Sequence, residues 1–253
     1  MNTIVIAKSL GSIALFGILG MQTASASLVL ETFQQFGGTG IGTVPTILTF
    51  QNVSTETGCV SFTGTGSALT PTGTCTSGGD TKTGSSQTQL QPLSAAGITS
   101  AANFGLIFNG VQPASGPLLV TNLTAAFYST SGTLLYETSG LSCQSSSGGP
   151  IVATTTGCLL TSTASGTGNS GFIVTLDAAQ RTAATTAGAF SSTANLVGVS
   201  AAAGGTGGAS AGGNETIFLV NSGNVAAVPE PATYSMLAAG LGLLAFARKA
   251  RKA

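Results

Sequence analysis

The chain has 253 residues, a formal net charge of zero at pH 7, no histidine and no tryptophan, and only 6% of its residues are charged. A soluble cytosolic domain carries roughly a quarter charged residues, so this surface must be solvated mainly by its backbone and by the hydroxyl groups of 67 Ser and Thr residues. The lack of histidine excludes every mechanism that needs an imidazole base or an imidazole metal ligand.

The balanced net charge conceals an acidic body. Residues 27–227 contain two cations, Lys82 and Arg181, against six anions, which gives this stretch a net charge near −4. The six anions are Glu31, Glu56, Asp80, Glu137, Asp177 and Glu215. Two scattered cations cannot neutralise a phosphate backbone. We therefore expect no nucleic-acid partner.

The first 26 residues have the pattern of a secretory signal peptide. A short start bearing Lys8 leads into the apolar run 10–20, which is too short to span a bilayer comfortably. Ala24-Ser25-Ala26 then offers the small side chains that a signal peptidase accepts. We place the cut after Ala26, so that the mature chain begins at Ser27. An uncleaved membrane anchor is the alternative.

Residues 27–227 are predicted to form one all-β domain, a single antiparallel β-sandwich-like body. Short apolar or alternating runs are separated at regular intervals by clusters of Gly, Ser and Thr, a spacing typical of such folds. The predicted strands are 28–36, 46–52, 59–63, 87–93, 103–108, 118–128, 133–138, 172–176, 195–200 and 216–220.

Three connections in this body are specific enough to predict. Residues 129–132 should form the turn of a hairpin, because Gly132 can adopt the positive φ that such turns need. A helix is predicted over 177–189, with Asp177 capping its free N–H groups. The Gly/Ala/Ser-rich stretch 201–214 is predicted to be a long surface loop, since it has little apolar area to offset the entropy of ordering.

The four cysteines indicate disulfides formed after export. Four cysteines allow three pairings, but the spacing favours the local pairs Cys59–Cys75 and Cys143–Cys158, each closing a similar Gly/Ser/Thr-filled loop. Each bond would stabilise the fold by about 3 kcal/mol in an oxidising compartment. A metal site is the poorer alternative, because the spacing is not CxxC and no histidine is available.

No catalytic, cofactor or metal site is predicted from the remaining residues. The GxSxG pattern at 208–212 has no histidine to accept the serine proton, so it does not indicate a hydrolase. The acidic residues are scattered and fit solvated side chains. One alternative remains open, a Ca²⁺ site formed if the fold brings Glu31, Asp80 and Asp177 together. We expect a protein that is not an enzyme.

The C-terminal segment, residues 228–253, has three distinct parts. Pro229-Glu230-Pro231 is expected to form a stiff, extended segment exposed to solvent, in which Glu230 supplies the charge that an enzyme could recognise. An uncharged apolar run over 232–247 then predicts a short membrane helix. Four cations, Arg248, Lys249, Arg251 and Lys252, would remain on the cytoplasmic side. An ordinary single-pass tail and a core helix are the alternatives.

This three-part ending resembles the PEP-CTERM sorting signal of exosortase-dependent bacterial proteins. The resemblance implies export across the inner membrane, transient anchoring there, and recognition by an exosortase near Pro229-Glu230-Pro231. Removal of the helix would follow, with surface display or release into an extracellular polysaccharide matrix. The implied partners are signal peptidase, an exosortase, the inner membrane and extracellular polysaccharide.

The sequence as a whole favours a non-enzymatic structural or adhesive protein of the cell surface or biofilm matrix. The alternative is a lectin-like domain that binds matrix polysaccharide. The absence of tryptophan and the presence of only three tyrosines make stacking platforms for sugars scarce, which disfavours the alternative.

Overall fold

The computed structural model describes residues 27–35, 44–84, 86–110, 117–144, 150–161, 170–204 and 213–223. The predicted signal peptide, the sorting segment 228–253 and most of the predicted loop 201–214 lie outside these residues. The strands are, in chain order, β1 Leu28–Gln35, β2 Thr46–Phe50, β3 Glu56–Ser61, β4 Gly64–Gly66, β5 Gln91–Pro92, β6 Phe104–Asn109, β7 Leu118–Tyr128, β8 Leu134–Glu137, β9 Leu141–Cys143, β10 Ile151–Ala153, β11 Cys158–Leu160, β12 Ser170–Leu176, β13 Leu196–Ala203 and β14 Glu215–Asn221.

The strands form two sheets that are rich in antiparallel pairs. The first sheet has the order β2-β14-β6-β12-β1-β9, and the second has the order β10-β11-β7-β13-β3-β4 with β5 added on β13 and β8 added on β7. This confirms the predicted all-β class. One pair departs from the antiparallel prediction, because β9 runs parallel to β1 at the edge of the first sheet. These two strands are far apart in the sequence, so no hairpin forces them to be antiparallel.

The two sheets share one hydrophobic core. Buried side chains from both sheets belong to a single cluster, including Leu106 and Phe172 of the first sheet and Val199 of the second. Across the interface the ring centroids of Phe104 and Phe127 lie 5.0 Å apart. Burial of this apolar area, at roughly 25 cal/mol per Å², is the main force that holds the sheets face to face.

The central strand β7 is buried on both faces. Its consecutive residues Phe127 and Tyr128 point to opposite faces, and each has at most 1% of its surface exposed. Phe127 points to the shared core, whereas the Tyr128 hydroxyl donates to the Gly73 carbonyl at 2.6 Å. The segment 67–76 therefore covers the outer side of this strand. This explains why residues 125–128 form a continuous apolar run instead of an alternating one.

The helix and the hairpin are found where the sequence placed them. Helix α1 (Ala178–Thr186) begins directly after Asp177, whose carboxylate accepts from the Gln180 N–H at 2.7 Å, and it ends three residues before the predicted end. β7 has the predicted bounds, and β8 pairs with it through a turn that contains Gly132 at φ +88°.

Other predictions need correction. The predicted strand 87–93 is reduced to Gln91–Pro92, and a 3₁₀ helix (Leu93–Ala96) follows, because Pro92 has no N–H to continue a ladder and Gly97 ends the turn in the left-handed region. The predicted loop from residue 201 begins too early, since β13 continues to Ala203 between β3 and β7. Strands β4, β9, β10 and β11 have three residues each, too few to show a periodicity in the sequence.

Candidate functional site

The predicted sorting segment follows a strand in the interior of the first sheet. β14 lies between β2 and β6, and the last described residue is Gly223. Pro229, Glu230, Pro231 and the four basic residues of the tail lie outside the described residues. Seven residues separate Asn221 from Pro229. Even a fully extended chain of that length reaches only about 27 Å, so an enzyme that reads the motif must work close to the folded body.

The other predicted processing point lies at the start of the first strand. Ala24 and Ala26 lie outside the described residues, and Ser27 is the first residue that the structure describes. The Ser27 N–H donates to Oδ2 of Asp177 at 2.5 Å. The sequence predicted Asp177 as the helix cap but held no signal for this second contact, because 150 residues separate the partners.

Two disulfides join the pairs that the sequence favoured. Cys143 of β9 is bonded to Cys158 of β11, so this bond links the edge of the first sheet to the second sheet. Cys59 of β3 is bonded to Cys75, which lies beyond the edge strand β4. The Cys143–Cys158 bond therefore holds the two layers together, and the Cys59–Cys75 bond holds the segment 67–76 on the second sheet.

The segment 67–76 is a hydroxyl-bearing hairpin. Its chain folds back through the bridge between Leu69 and Cys75. Hydroxyl groups on it bond to one another: Ser67 to Thr76 at 2.7 Å, Thr70 to Thr74 at 2.7 Å and Thr70 to Thr72 at 2.8 Å. These side chains are half-buried or exposed. The hydroxyl hairpin thus offers water a polar surface without formal charge.

Two of the six acidic residues are not the solvated side chains that the sequence indicated. Glu56 and Glu215 are fully buried, with 0% of their surface exposed. Glu56 accepts from the Asn52 N–H at 3.0 Å through Oε2. Glu215 begins β14 opposite Phe50 of β2. Tertiary packing rather than local polarity decides their burial.

The three acids of the alternative Ca²⁺ site each bond to other groups of the fold. Asp80 accepts from the Asn52 side chain at 2.8 Å and from the Thr57 N–H at 2.9 Å. Glu31 accepts from the Thr175 hydroxyl at 2.6 Å. Within the described residues no three His, Cys, Asp or Glu side chains are grouped to hold a metal ion.

Three titratable side chains with shifted pKa values lie on β8 and on the neighbouring strand β7. Burial raises the pKa of the Glu137 carboxyl. Burial, with a smaller effect from the Asp177 charge, raises the pKa of the Tyr136 phenol. Burial also raises the pKa of Tyr128 far above its usual value, and the neighbouring Glu137 charge adds to this effect. At neutral pH both phenols are therefore protonated hydrogen-bond donors.

A shallow groove of about 410 Å³ lies between α1 and the 3₁₀ helix Ala101–Asn103. Its lining is Ser100, Ala101, Ala102, Arg181, Thr182, Thr185 and Thr186. The three threonine hydroxyls donate to helix carbonyls four residues earlier, so their lone pairs remain to accept hydrogen bonds. Arg181 uses its Nε for the Leu176 carbonyl at 2.8 Å. Most of the exposed lining of the groove is apolar, and its polar groups come from Ser100, Arg181 and the three threonines.

The comparison with protein families decides the meaning of the C-terminal residues. A family model described as the PEP-CTERM protein-sorting motif matches residues 227–252. The chain carries a PEP-CTERM motif. This confirms the resemblance and the position predicted for it, and it implies an exported protein that an exosortase processes at the membrane.

The PEP-CTERM match covers the C-terminal residues alone. Comparison of the chain with curated proteins and with solved structures found no match. Among the helices in the described part of the chain, none has the length and apolar character to cross a membrane. The predicted membrane helix at 232–247 lies outside that part.

Proposed function

We propose that this protein is a non-enzymatic structural component of the cell surface or of an extracellular polysaccharide matrix. A signal peptide starts its export, the PEP-CTERM motif delivers it, and the body is the cargo. The match of residues 227–252 to the sorting motif is the observation that carries the proposal. In this account residues 232–253 anchor the precursor in the inner membrane until an exosortase removes them.

The character of the body supports a structural role. Its acids are used to hold the fold, since Asp80 binds the loop before β3 and Asp177 caps α1. Its two disulfides connect the layers and the hydroxyl hairpin, as suits a domain outside the reducing cytosol. Its surface hydroxyls bond readily to water and to the hydroxyl groups of a hydrated polysaccharide.

The first prediction concerns sorting by the motif itself. In the producing bacterium, Glu230→Gln together with Pro229→Ala and Pro231→Ala should abolish removal of the C-terminal segment, because the extended segment and its charge are what the exosortase reads. Fractionation and intact-mass measurement should find the variant in the membrane with residues 232–253 attached. Val228→Ala, which leaves the three motif residues in place, is the matched control. A wild-type mature product that still contains residues 234–253 would contradict the proposal.

A second candidate function is a lectin-like module that binds matrix polysaccharide. The groove beside α1 favours it, because Ser100, Arg181 and Thr185 place acceptors and a cation around one depression. Tyrosine and phenylalanine are missing from its lining, so binding would depend on hydrogen bonds alone, without the stacking contribution of an aromatic ring.

Retention on polysaccharide separates the two candidates. Exported protein is incubated with matrix polysaccharide from its own culture, and the bound amount is measured against protein concentration. A structural component held by many weak contacts should show no saturation and no effect of Thr185→Val. A lectin should saturate and lose retention on Thr185→Val, but not on Thr121→Val, an exposed threonine on β7 outside the groove.

A further inference from the structure

The start of the folded body is held at two points by one residue. The Ser27 N–H donates to Asp177 Oδ2 at 2.5 Å, and the Asp177 N–H donates to the Ser27 carbonyl at 3.4 Å. The next residue continues the same alignment, with Leu28 opposite Leu176 in the β1–β12 ladder and its N–H donating to the Gly140 carbonyl at 3.1 Å. The position of the Ser27 nitrogen is therefore fixed by the sheet.

The chemical nature of this nitrogen changes on processing. In the precursor it is a peptide N–H, which carries no charge. After cleavage behind Ala26 it is an α-amino group, which titrates near 7.7–8.0 when unperturbed and is a cation below that pH. The atom that already bonds to a carboxylate then bears a full positive charge and three donor hydrogens.

Asp177 lies where α1 begins, next to β1 and β8. The titratable and charged groups on the elements that pack around it are Tyr136 and Glu137 on β8, Glu31 on β1 and Arg181 on α1. They comprise two carboxyl groups besides Asp177 against one guanidinium, whose Nε is already bonded to the Leu176 carbonyl. Ser27 and Asp177 are both half-buried, so water screens their interaction less than at an exposed site.

We propose that the Asp177 carboxylate is the binding site for the α-ammonium group that removal of the signal peptide creates on Ser27. This inference rests on the proposed export, because the ammonium exists only if the chain is cut after Ala26. One Asp177 oxygen holds the new chain end while the other continues to cap α1 through Gln180. Processing thereby adds an ion pair that ties β1 to the start of α1, and the precursor lacks it.

The pairing has a defined dependence on pH. An amine that gains a carboxylate partner on folding has a higher pKa in the folded chain than in the unfolded chain. Its contribution to stability is complete below the unfolded value and is lost as the pH rises through the folded value. The mature protein should therefore lose this contribution between about pH 8 and pH 10.

The test measures the α-amine directly on the exported protein. Intact mass first establishes that the chain begins at Ser27. The amines are then reductively dimethylated with ¹³C-formaldehyde and cyanoborohydride, and the ¹³C signal of the Ser27 dimethylamine is followed against pH by NMR. In the wild-type protein its pKa should lie about one unit above that in Asp177→Asn, a tenfold difference in proton affinity. Asparagine retains the capping oxygen, so α1 keeps its N-cap.

Two further variants guard against loss of the fold and against a general field effect. Asp80→Asn removes another half-buried carboxylate that bonds a backbone N–H, and it should leave the Ser27 amine unchanged. Insertion of Gly-Ser-Thr between Ala26 and Ser27 moves the ammonium group away from Asp177. The Ser27 nitrogen then remains an uncharged peptide N–H that donates to the carboxylate. The thermal midpoint of this variant should fall less between pH 7 and pH 10 than that of the wild type.

The outcomes separate this inference from the proposed export. A mature chain that retains residues 1–26 overturns both, whereas a chain cut at another bond near Ala26 overturns the ion pair alone. A chain that starts at Ser27 but has the same amine pKa in wild type and Asp177→Asn overturns the ion pair and leaves the export intact. An equal shift in Asp80→Asn, or an unchanged pH dependence in the insertion variant, also overturns the pairing.

Discussion

The Glu137 carboxyl is an example of an acidic group whose charge is disfavoured by burial. Its Oε2 is buried and makes no hydrogen bond within the described part of the chain. Burial therefore disfavours the charged form and raises the pKa of the carboxyl. By contrast, the Glu31 carboxylate accepts from the Thr175 hydroxyl at 2.6 Å, which compensates the loss of water around it.

Glu137→Gln should stabilise the protein at neutral pH and leave it unchanged in acid. A carboxyl whose folded pKa is raised contributes stability that is complete below its unfolded pKa of about 4.3 and is lost as the pH rises through the folded value. Gln has no charge to desolvate, so we expect a thermal midpoint about 1–3 °C higher at pH 7 and no difference at pH 3. Thermal unfolding at the two pH values checks this, with Glu31→Gln as the control. A variant that gains equally at both would contradict the explanation.

Residue-scale patterns predicted only part of these environments. Asp177 was identified as a helix cap because the capping signal is local and the helix follows within one residue. The burial of Glu56 and Glu215 was not predicted, because each stands at the start of a strand and the layer that covers it comes from elsewhere in the chain.

At the scale of elements, the β7–β8 hairpin is defined by one glycine and one aromatic ring. Gly132 has φ +88°, a conformation that favours glycine. A Cβ placed there would lie 2.3 Å from the Phe62 ring, so the ring rests directly on the turn. Gly140 has a similar φ of +79°, but a Cβ there would meet nothing within 4 Å.

The pair Gly132→Ala and Gly140→Ala separates backbone strain from steric contact. Both substitutions place alanine at a positive φ, which costs about 1 kcal/mol. Gly132→Ala must also turn aside the exposed Phe62 ring, so we expect it to lower the free energy of unfolding by about 0.5–1.5 kcal/mol more than Gly140→Ala, the cost of an off-rotamer side chain. Denaturant unfolding of the two variants measures the difference. Equal losses would mean that the Phe62 ring moves aside at no cost.

At this scale the sequence predicted long elements and missed short ones. The hairpin and α1 carry their own turn and cap residues, so their positions were readable. Strands of three residues, such as β9 and β11, have no period of their own. They exist because neighbouring strands and the Cys143–Cys158 bond hold them in place.

For the whole molecule, the two disulfides hold together a body that lies between the two predicted processing points. Cys143–Cys158 joins one sheet to the other, while Cys59–Cys75 fastens the hydroxyl hairpin over the second sheet. The Ser27 N–H is bound by Asp177, and the sorting motif follows β14 after a few residues. The first described residue is thus hydrogen-bonded to the sheet and helix, and the sorting motif is connected to the last strand by a short segment.

Loss of either disulfide should destabilise the body by a similar amount. Each bond closes a loop of comparable length, with separations of 16 and 15 residues, so Cys59→Ser with Cys75→Ser and Cys143→Ser with Cys158→Ser should each cost about 3 kcal/mol. Denaturant unfolding of the exported variants tests this, and adding reductant to the wild type should reproduce the combined loss. A wild type whose unfolding midpoint is insensitive to complete reduction would refute the prediction.

The sequence alone determined that this protein carries an export and sorting signal, that its body is all-β, and which cysteine pairs are favoured. These follow from local features, namely the PEP-CTERM ending, short strand patterns and the spacing of cysteines. Only the tertiary structure decided the parallel β1–β9 pair, the burial of Glu56 and Glu215, and the contact between Ser27 and Asp177. Each of these joins residues far apart in the chain, where the choice depends on how two sheets bury a common core and leaves no mark in any local pattern.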